Sequence, residues 1–308
     1  MRTFPLHRLD ADALLLKEAF DTAYEAGCFA LYTYPPEEQE RHKFDLFQTL
    51  TPLSGTLAFL AVQILAANKI MAANGFSLKE RYFNHKCGIA INHLRAPFTV
   101  VRGEKTSSGF ALTGRLTWAS GYGIFDHLVV GFHHDGRELE AVIPFSDQKG
   151  MTIGAAPETF VGFGMNTVDI DLESYEVPDE YIISSKPMGT YTKAKSLSKT
   201  VHYALYGIGL GILEDLDDPE VRTQAREELE SIKSDFVACM DGDEMDRLRI
   251  RLFSLLHHTV TVGMILVGGK SILSEQNLQR YYRELIMFNS NGLNDTIKGL
   301  FKRDYLTR

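Results

Sequence analysis

The chain has 308 residues, 44% of them hydrophobic and 23% charged, with a formal net charge of -8 at pH 7. That length can bury a large core divided over roughly one to three domains. The acidic balance disfavours general nucleic-acid binding, which needs clustered Lys and Arg to neutralise phosphates. Cys28, Cys87 and Cys239 are odd in number and far apart. This excludes a disulfide framework and a zinc-ligand pair and points to a reduced, cytoplasmic protein. Residues 1–10 carry Pro5, His7 and Asp10 and lack the apolar stretch of a secretory signal. The longest strongly apolar run, Val260–Val267, falls short of the ~20 residues of a bilayer crossing, so no membrane span is expected.

The N-terminal third reads as helix. Asp10 is the expected N-cap of a first helix, with Asp12 adding negative charge to its first turn and Gly27 ending it. Pro35-Pro36 starts a polar helix over Glu37–Leu50, with Pro suited to the first turn. A third helix is expected over Leu53–Asn74, stopped by Gly75, with Leu57, Leu60, Ala61, Ile64, Leu65 and Met71 at helical spacing.

From Lys86 the pattern changes to short β-favouring runs: Gly88–Asn92, Phe98–Arg102, Phe110–Trp118, His127–His133, Leu139–Pro144, Met151–Ala155 and Val168–Tyr175. Asp135-Gly136, set between two of these runs, is a strong hairpin signal. Strands so short and so evenly spaced predict a small barrel or sandwich.

Helices return after Val177-Pro178. One is expected over Thr192–Leu216, where Gly207 and Gly211 let another helix approach closely. Asp218-Pro219-Glu220 starts the next, which extends to Met240. Asp241-Gly242-Asp243 breaks the chain before a long helix to Gly268, with Leu248, Leu252, Leu255, Thr259, Val262 and Leu266 on one stripe. Ser274–Phe288 and Asn291–Phe301 make a last helical pair.

The stretch Gly109-Phe110-Ala111-Leu112-Thr113-Gly114-Arg115-Leu116-Thr117-Trp118-Ala119-Ser120-Gly121 resembles the middle-domain signature of the acyl-CoA dehydrogenases, Gly-aromatic-x-Leu-Asn-Gly-x-Lys-x-Trp-Ile-Thr-Asn. Phe125-Asp126-His127-Leu128-Val129-Val130 stands where that family has Ala-Asp-x-x-Val-Val. Gly162–Leu172 resembles its Gly-x-Arg-Gly-Ser-x-Thr segment, and Glu176–Ile183 its Val-Pro-x-Glu-x-Leu-Leu exit. Leu278–Glu284 is similar to its Arg-x-x-Arg-Asp helix.

The resemblance implies an α+β multidomain, acyl-CoA dehydrogenase-like fold. Residues 1–85 would be a shortened N-terminal helical domain, 86–184 a middle β-barrel or sandwich, and 185–308 a C-terminal helical bundle. It further implies FAD as cofactor, with Trp118, Ala119 and Ser120 beside the flavin ring and Asn92 in place of a flavin-bonding Thr. The implied reaction is oxidation of a CH–CH bond of an acyl thioester in a cytoplasmic homodimer or homotetramer built through the C-terminal helices. The catalytic residue stays unassigned, because the Tyr-Glu-Gly-Thr segment that carries the family's base is missing, and the flavin-holding Gly-Ser-Asp and Arg-x-x-Phe-Gly segments are missing too. Two other readings stay open. One is a flavin-dependent monooxygenase in which His93, His257 or His258 acts as acid, base or substrate contact. The other is a flavin-free binding or assembly protein.

Gly207-x-Gly209-x-Gly211 lacks the third glycine of a dinucleotide fingerprint, since Ile212 stands there. Asp241–Glu244 lacks EF-hand spacing, and no paired-Cys or His-Glu-x-x-His metal motif occurs. Ser196-x-x-Lys199 matches a penicillin-recognising tetrad without its companions.

Overall fold

The computed structural model describes residues 5–83, 85–96, 98–193, 197–290 and 295–306. Helices α1 (Ala13–Glu25), α2 (Pro36–Leu53), α3 (Gly55–Ala73) and α4 (Lys79–Phe83) come first. Strands follow: β1 (Cys87–Ala90), β2 (Val101–Lys105), β3 (Gly109–Ala119), β4 (His127–His134), β5 (Arg137–Pro144), β6 (Met151–Ile153), β7 (Val168–Pro178) and β8 (Ile182–Pro187). Then come α5 (Thr190–Lys193), α6 (Thr200–Asp215), α7 (Pro219–Ala238), α8 (Gly242–Val267), α9 (Asn277–Ser290) and α10 (Asp295–Leu306).

The expected helix, β and helix order is found, and the differences have local causes. Asp12, not Asp10, caps α1, its carboxylate accepting from Leu15 N at 3.0 Å. Asp10 is buried elsewhere, as described below. The polar second helix runs on through Pro52 to Leu53. The break falls at Ser54, whose extended backbone ends α2 and whose hydroxyl caps α3 at Leu57 N. Asn92 is not in β1 but opens a 3₁₀ turn, and Phe98 precedes β2. The helix expected from Thr192 begins only at Thr200, after β8 and α5. Ser196 and Asn291, on which two expectations fall, lie outside the described residues.

The eight strands form one sheet in the order β6-β7-β3-β2-β4-β5-β8, with β1 parallel to β4 beside β2. The Asp135-Gly136 hairpin forms between β4 and β5, both residues at positive φ (44° and 70°), as a type I′ turn requires. Alternation along β4 sorts its side chains. Leu128, Val130 and Phe132 enter the main core, and Val129 joins Cys87, Val142, Ile183, Tyr82, Phe83 and Met71 beneath α3 and α4.

Gly207 and Gly211 do what their spacing predicts, but inside the subunit. A Cβ on Gly207 would lie 2.5 Å from Phe47 O of α2, and one on Gly211 2.4 Å from the Tyr281 hydroxyl of α9. Leu248, Leu252 and Thr259 of the α8 stripe are buried against neighbouring helices, whereas Leu266 is exposed. The expectation that nothing reaches membrane-spanning length is corrected. α3 (Gly55–Ala73) and the stretch Gly242–Ile272 are both long and apolar enough, at mean hydropathy 1.6. α3 is the wrapped core helix, with Leu60, Ala61 and Ile64 at 1% exposure or less.

Candidate functional site

β3 pairs with β7 through two register shifts, the second between Leu116 and Ala119. The irregularity there sets two residues of β3, Thr117 and Trp118, against Asp169 alone. Trp118 has a φ of +60° and is 64% exposed. A left-handed conformation is costly for an aromatic residue and persists only where the surroundings hold it. Here Asp169 Oδ1 accepts from Trp118 N at 3.3 Å.

The next two residues turn inward. Ala119 pairs with Val168 and is fully buried. Ser120 is 7% exposed, and its hydroxyl shares a 2.9 Å hydrogen bond with the Thr167 hydroxyl. Of the three residues expected to face a flavin, only Trp118 presents its side chain to the surface. The Ser120 hydroxyl is committed to the protein interior.

The segment after Ser120 is zipped to the loop before β7. Gly121 N donates to Met165 O at 2.8 Å and Tyr122 N to Asn166 O at 3.3 Å. Asn166 Nδ2 returns a bond to Tyr122 O at 3.1 Å. Trp118, Gly121, Gly123, Gly162 and Asn166 all have positive φ, so left-handed backbone is concentrated in these two facing loops. A Cβ on Gly121 would sit 2.2 Å from the Phe125 ring, while around Gly123 the space is open. Phe160 and Phe163 are exposed on the second loop, at 60% and 44%.

Asn92 is not gathered into this site. β1 runs parallel to β4, as does β2, and β3 runs antiparallel to β2. The end of β3 therefore points toward the start of β1, whereas Asn92 follows its far end. Asn92 is exposed and accepts from Arg95 Nη1 at 3.0 Å. Pro97, which closes the segment expected to hold a flavin, lies outside the described residues.

The histidines stand elsewhere too. His93 Nε2 bonds Gly131 O at 2.8 Å, and burial holds its pKa down at about 4. It is a neutral packing residue. His257 lies between the Phe253 and Tyr282 rings, and His258 faces a cavity of about 520 Å³ between α7, α8 and α10. A further cavity of about 760 Å³ is lined by Arg102, Lys105, Thr113 and His133. Among the described residues no cluster of His, Cys, Asp or Glu can hold a metal.

Sequence reasoning missed Asp10, Thr167 and Asp169. The one available signal for the last two was the Thr-Val-Asp stretch after Asn166, within the segment resembling Gly-x-Arg-Gly-Ser-x-Thr.

No family model matches the sequence, and no curated protein matches it. Solved structures do match in shape. The prolyl acyl carrier protein oxidase AnaB superposes with TM-score 0.77 at 14% identity, over 98% of this chain and 93% of its own. Glutaryl-coenzyme A dehydrogenase, solved as its glutaryl-CoA complex, gives 0.76 at 15% identity, over 93% and 86%. KijD3, in complex with FMN and an amino-sugar nucleotide, gives 0.73 at 15% identity, over 94% and 86%.

Proposed function

We propose, from the acyl-CoA dehydrogenase fold that this chain has, that it is a flavin-dependent oxidoreductase whose flavin ring lies against Trp118. The observation that carries the reading is the exposed indole of Trp118, held in a strained left-handed conformation at the mouth of two left-handed loops. Natural proteins keep such strain mostly where it serves binding.

The residues present fit the ring better than they fit the rest of an FAD. Trp118 offers a planar apolar face that covers a flavin and excludes water. Gly123 leaves the adjacent backbone open to close approach. The hydroxyl expected from Ser120 is turned to Thr167 and not to the surface. The Arg-x-x-Phe-Gly segment that reaches an FAD diphosphate in the family is missing, as is the Gly-Ser-Asp that helps hold flavin and substrate. FAD is the proposed cofactor. FMN is the second reading, favoured by those missing segments and by the FMN in KijD3.

A bound flavin would supply the acceptor for a hydride leaving the acyl chain. This chain's part is to hold the ring, exclude water and orient the substrate. The proposed substrate is an acyl thioester, in line with the glutaryl-CoA and acyl-carrier-protein names of two structural neighbours. No Tyr-Glu-Gly-Thr segment supplies a base, and that absence favours oxygen-dependent turnover as the second reaction. Ile265, Leu266, Ile272 and Leu273, exposed at the end of α8 and just beyond it, form the proposed contact of a homo-oligomer, which light scattering on the eluting protein tests.

The test is the visible absorption of the purified protein after excess FAD or FMN, with free dye removed by gel filtration. Retained flavin that bleaches on adding an acyl thioester supports the dehydrogenase reaction. Retained flavin that bleaches only with a separate reductant supports the monooxygenase. No retained flavin overturns the proposal.

A further inference from the structure

Asp10 is 4% exposed and takes no part in capping α1. Its Oδ1 accepts from Gly162 N and, at 3.0 Å, from Thr56 Oγ1 of α3. Its Oδ2 is paired with Arg283 Nη1 of α9, and its main-chain oxygen accepts from Gly164 N at 2.8 Å. One residue ahead of the first helix thus touches an N-terminal helix, the loop before β7 and a C-terminal helix.

The loop is the informative partner. Gly162, at φ +70°, starts the turn that ends at Asn166, and this turn is the one zipped to Gly121 and Tyr122 beside Trp118. Arg283 Nη1 also donates to Phe160 O at 2.9 Å, fixing the loop's other shoulder. A buried carboxylate that receives a main-chain N–H, a hydroxyl and a guanidinium is a strong, directional anchor. A cap at Asp10 would bring none of these segments together.

We infer that Asp10, with Arg283, is the positioning residue of the candidate site. It holds the 160–166 loop, and through it the Ser120–Tyr122 backbone, in the one arrangement that leaves Trp118 open to a ligand. Its consequence for flavin rests on the proposed function; its consequence for Trp118 does not.

Trp118 is the chain's one tryptophan, so emission excited beyond the tyrosine absorption band reads this site alone. Asp10→Asn keeps the shape and removes the charge. The expected result is a shifted Trp118 emission with altered acrylamide quenching and unchanged far-UV circular dichroism. FMN or FAD affinity should fall about tenfold, the scale of one charge-assisted hydrogen bond. If Asp10→Asn does not fold, Arg283→Lys is measured in its place. It keeps the cation but loses the Nε donor to Gln279 Oε1 that aims the guanidinium at Asp10 and Phe160 O. A variant that melts at lower temperature but keeps wild-type Trp118 emission and flavin affinity overturns the inference and leaves Asp10 a plain cross-link. If wild type binds no flavin yet Asp10→Asn still shifts Trp118 emission, the functional proposal fails and the positioning role stands.

Discussion

Arg280 and Glu284, one turn apart on α9, sit across the break between α2 and α3 and serve its two ends in opposite senses. Arg280 Nη2 donates to Pro52 O at the carbonyl end of α2 at 2.9 Å, and Glu284 Oε1 accepts from Gly55 N at the amide end of α3 at 2.8 Å. Each charge complements the partial charge of the helix end it meets. The two side chains also pair at 3.1 Å, at 2% and 0% exposure.

Removing one partner should therefore be expensive. Glu284→Gln leaves Arg280 buried without its counter-charge, and a loss of about 3 kcal/mol is expected in urea denaturation. Gly55→Ala acts on the same joint, since its Cβ would lie 2.6 Å from Glu284 Cδ and displace the carboxylate. Wild-type midpoints for both variants would show that the pair does not hold the break together.

Helix contact predicts a contrast between two glycines. Gly207→Ala drives a methyl against Phe47 O at 2.5 Å, main chain that cannot swing away. A cost of about 1–3 kcal/mol is expected for such overpacking. Gly269→Ala meets nothing within 4 Å and should change the melting temperature little. Equal effects would contradict the close α2–α6 approach.

Two histidines, His202 buried and His93 half-buried, predict an acid-sensitive fold. His202 Nε2 bonds Met245 O at 2.9 Å, and burial lowers its pKa to about 4, as it does for His93. Each protonates in the unfolded chain near pH 6.5 but not in the folded one. The stability they contribute is therefore full above pH 6.5 and lost as pH falls toward 4. That amounts to about 3 kcal/mol each at most. His202→Gln, which keeps an N–H donor, should flatten the drop in urea midpoint between pH 7 and pH 5. An unchanged slope would remove His202 from the account.

Much of this was legible in the chain. Pro and Asp at the start of α7, Gly at the ends of α1 and α3, and the Asp-Gly hairpin are local signals, and local signals survive folding. The Arg280–Glu284 helix was visible as a motif, though its task was not, because its partners lie 228 and 229 residues away. The same limit hid Asp10, which looks like an N-cap until Gly162, Thr56 and Arg283 are brought to it. The inward turn of Ser120 depends on a strand irregularity at Trp118 that spacing alone does not reveal.

Trp118 separates stability from binding. Because Trp118 is 64% exposed, Trp118→Ala should cost well under the roughly 3–5 kcal/mol of truncating a buried aromatic. Flavin retention should be lost in the same variant. A large drop in stability would mark Trp118 as a packing residue instead.

The most direct measurement is a titration of the wild-type protein with FMN and with FAD, followed by the emission of Trp118. A flavin ring stacked on the indole quenches it, so saturable quenching is predicted at one flavin per chain, absent in a free-tryptophan control at equal absorbance. Emission that falls only in step with the control would mean that no flavin reaches Trp118, and the functional account would be wrong.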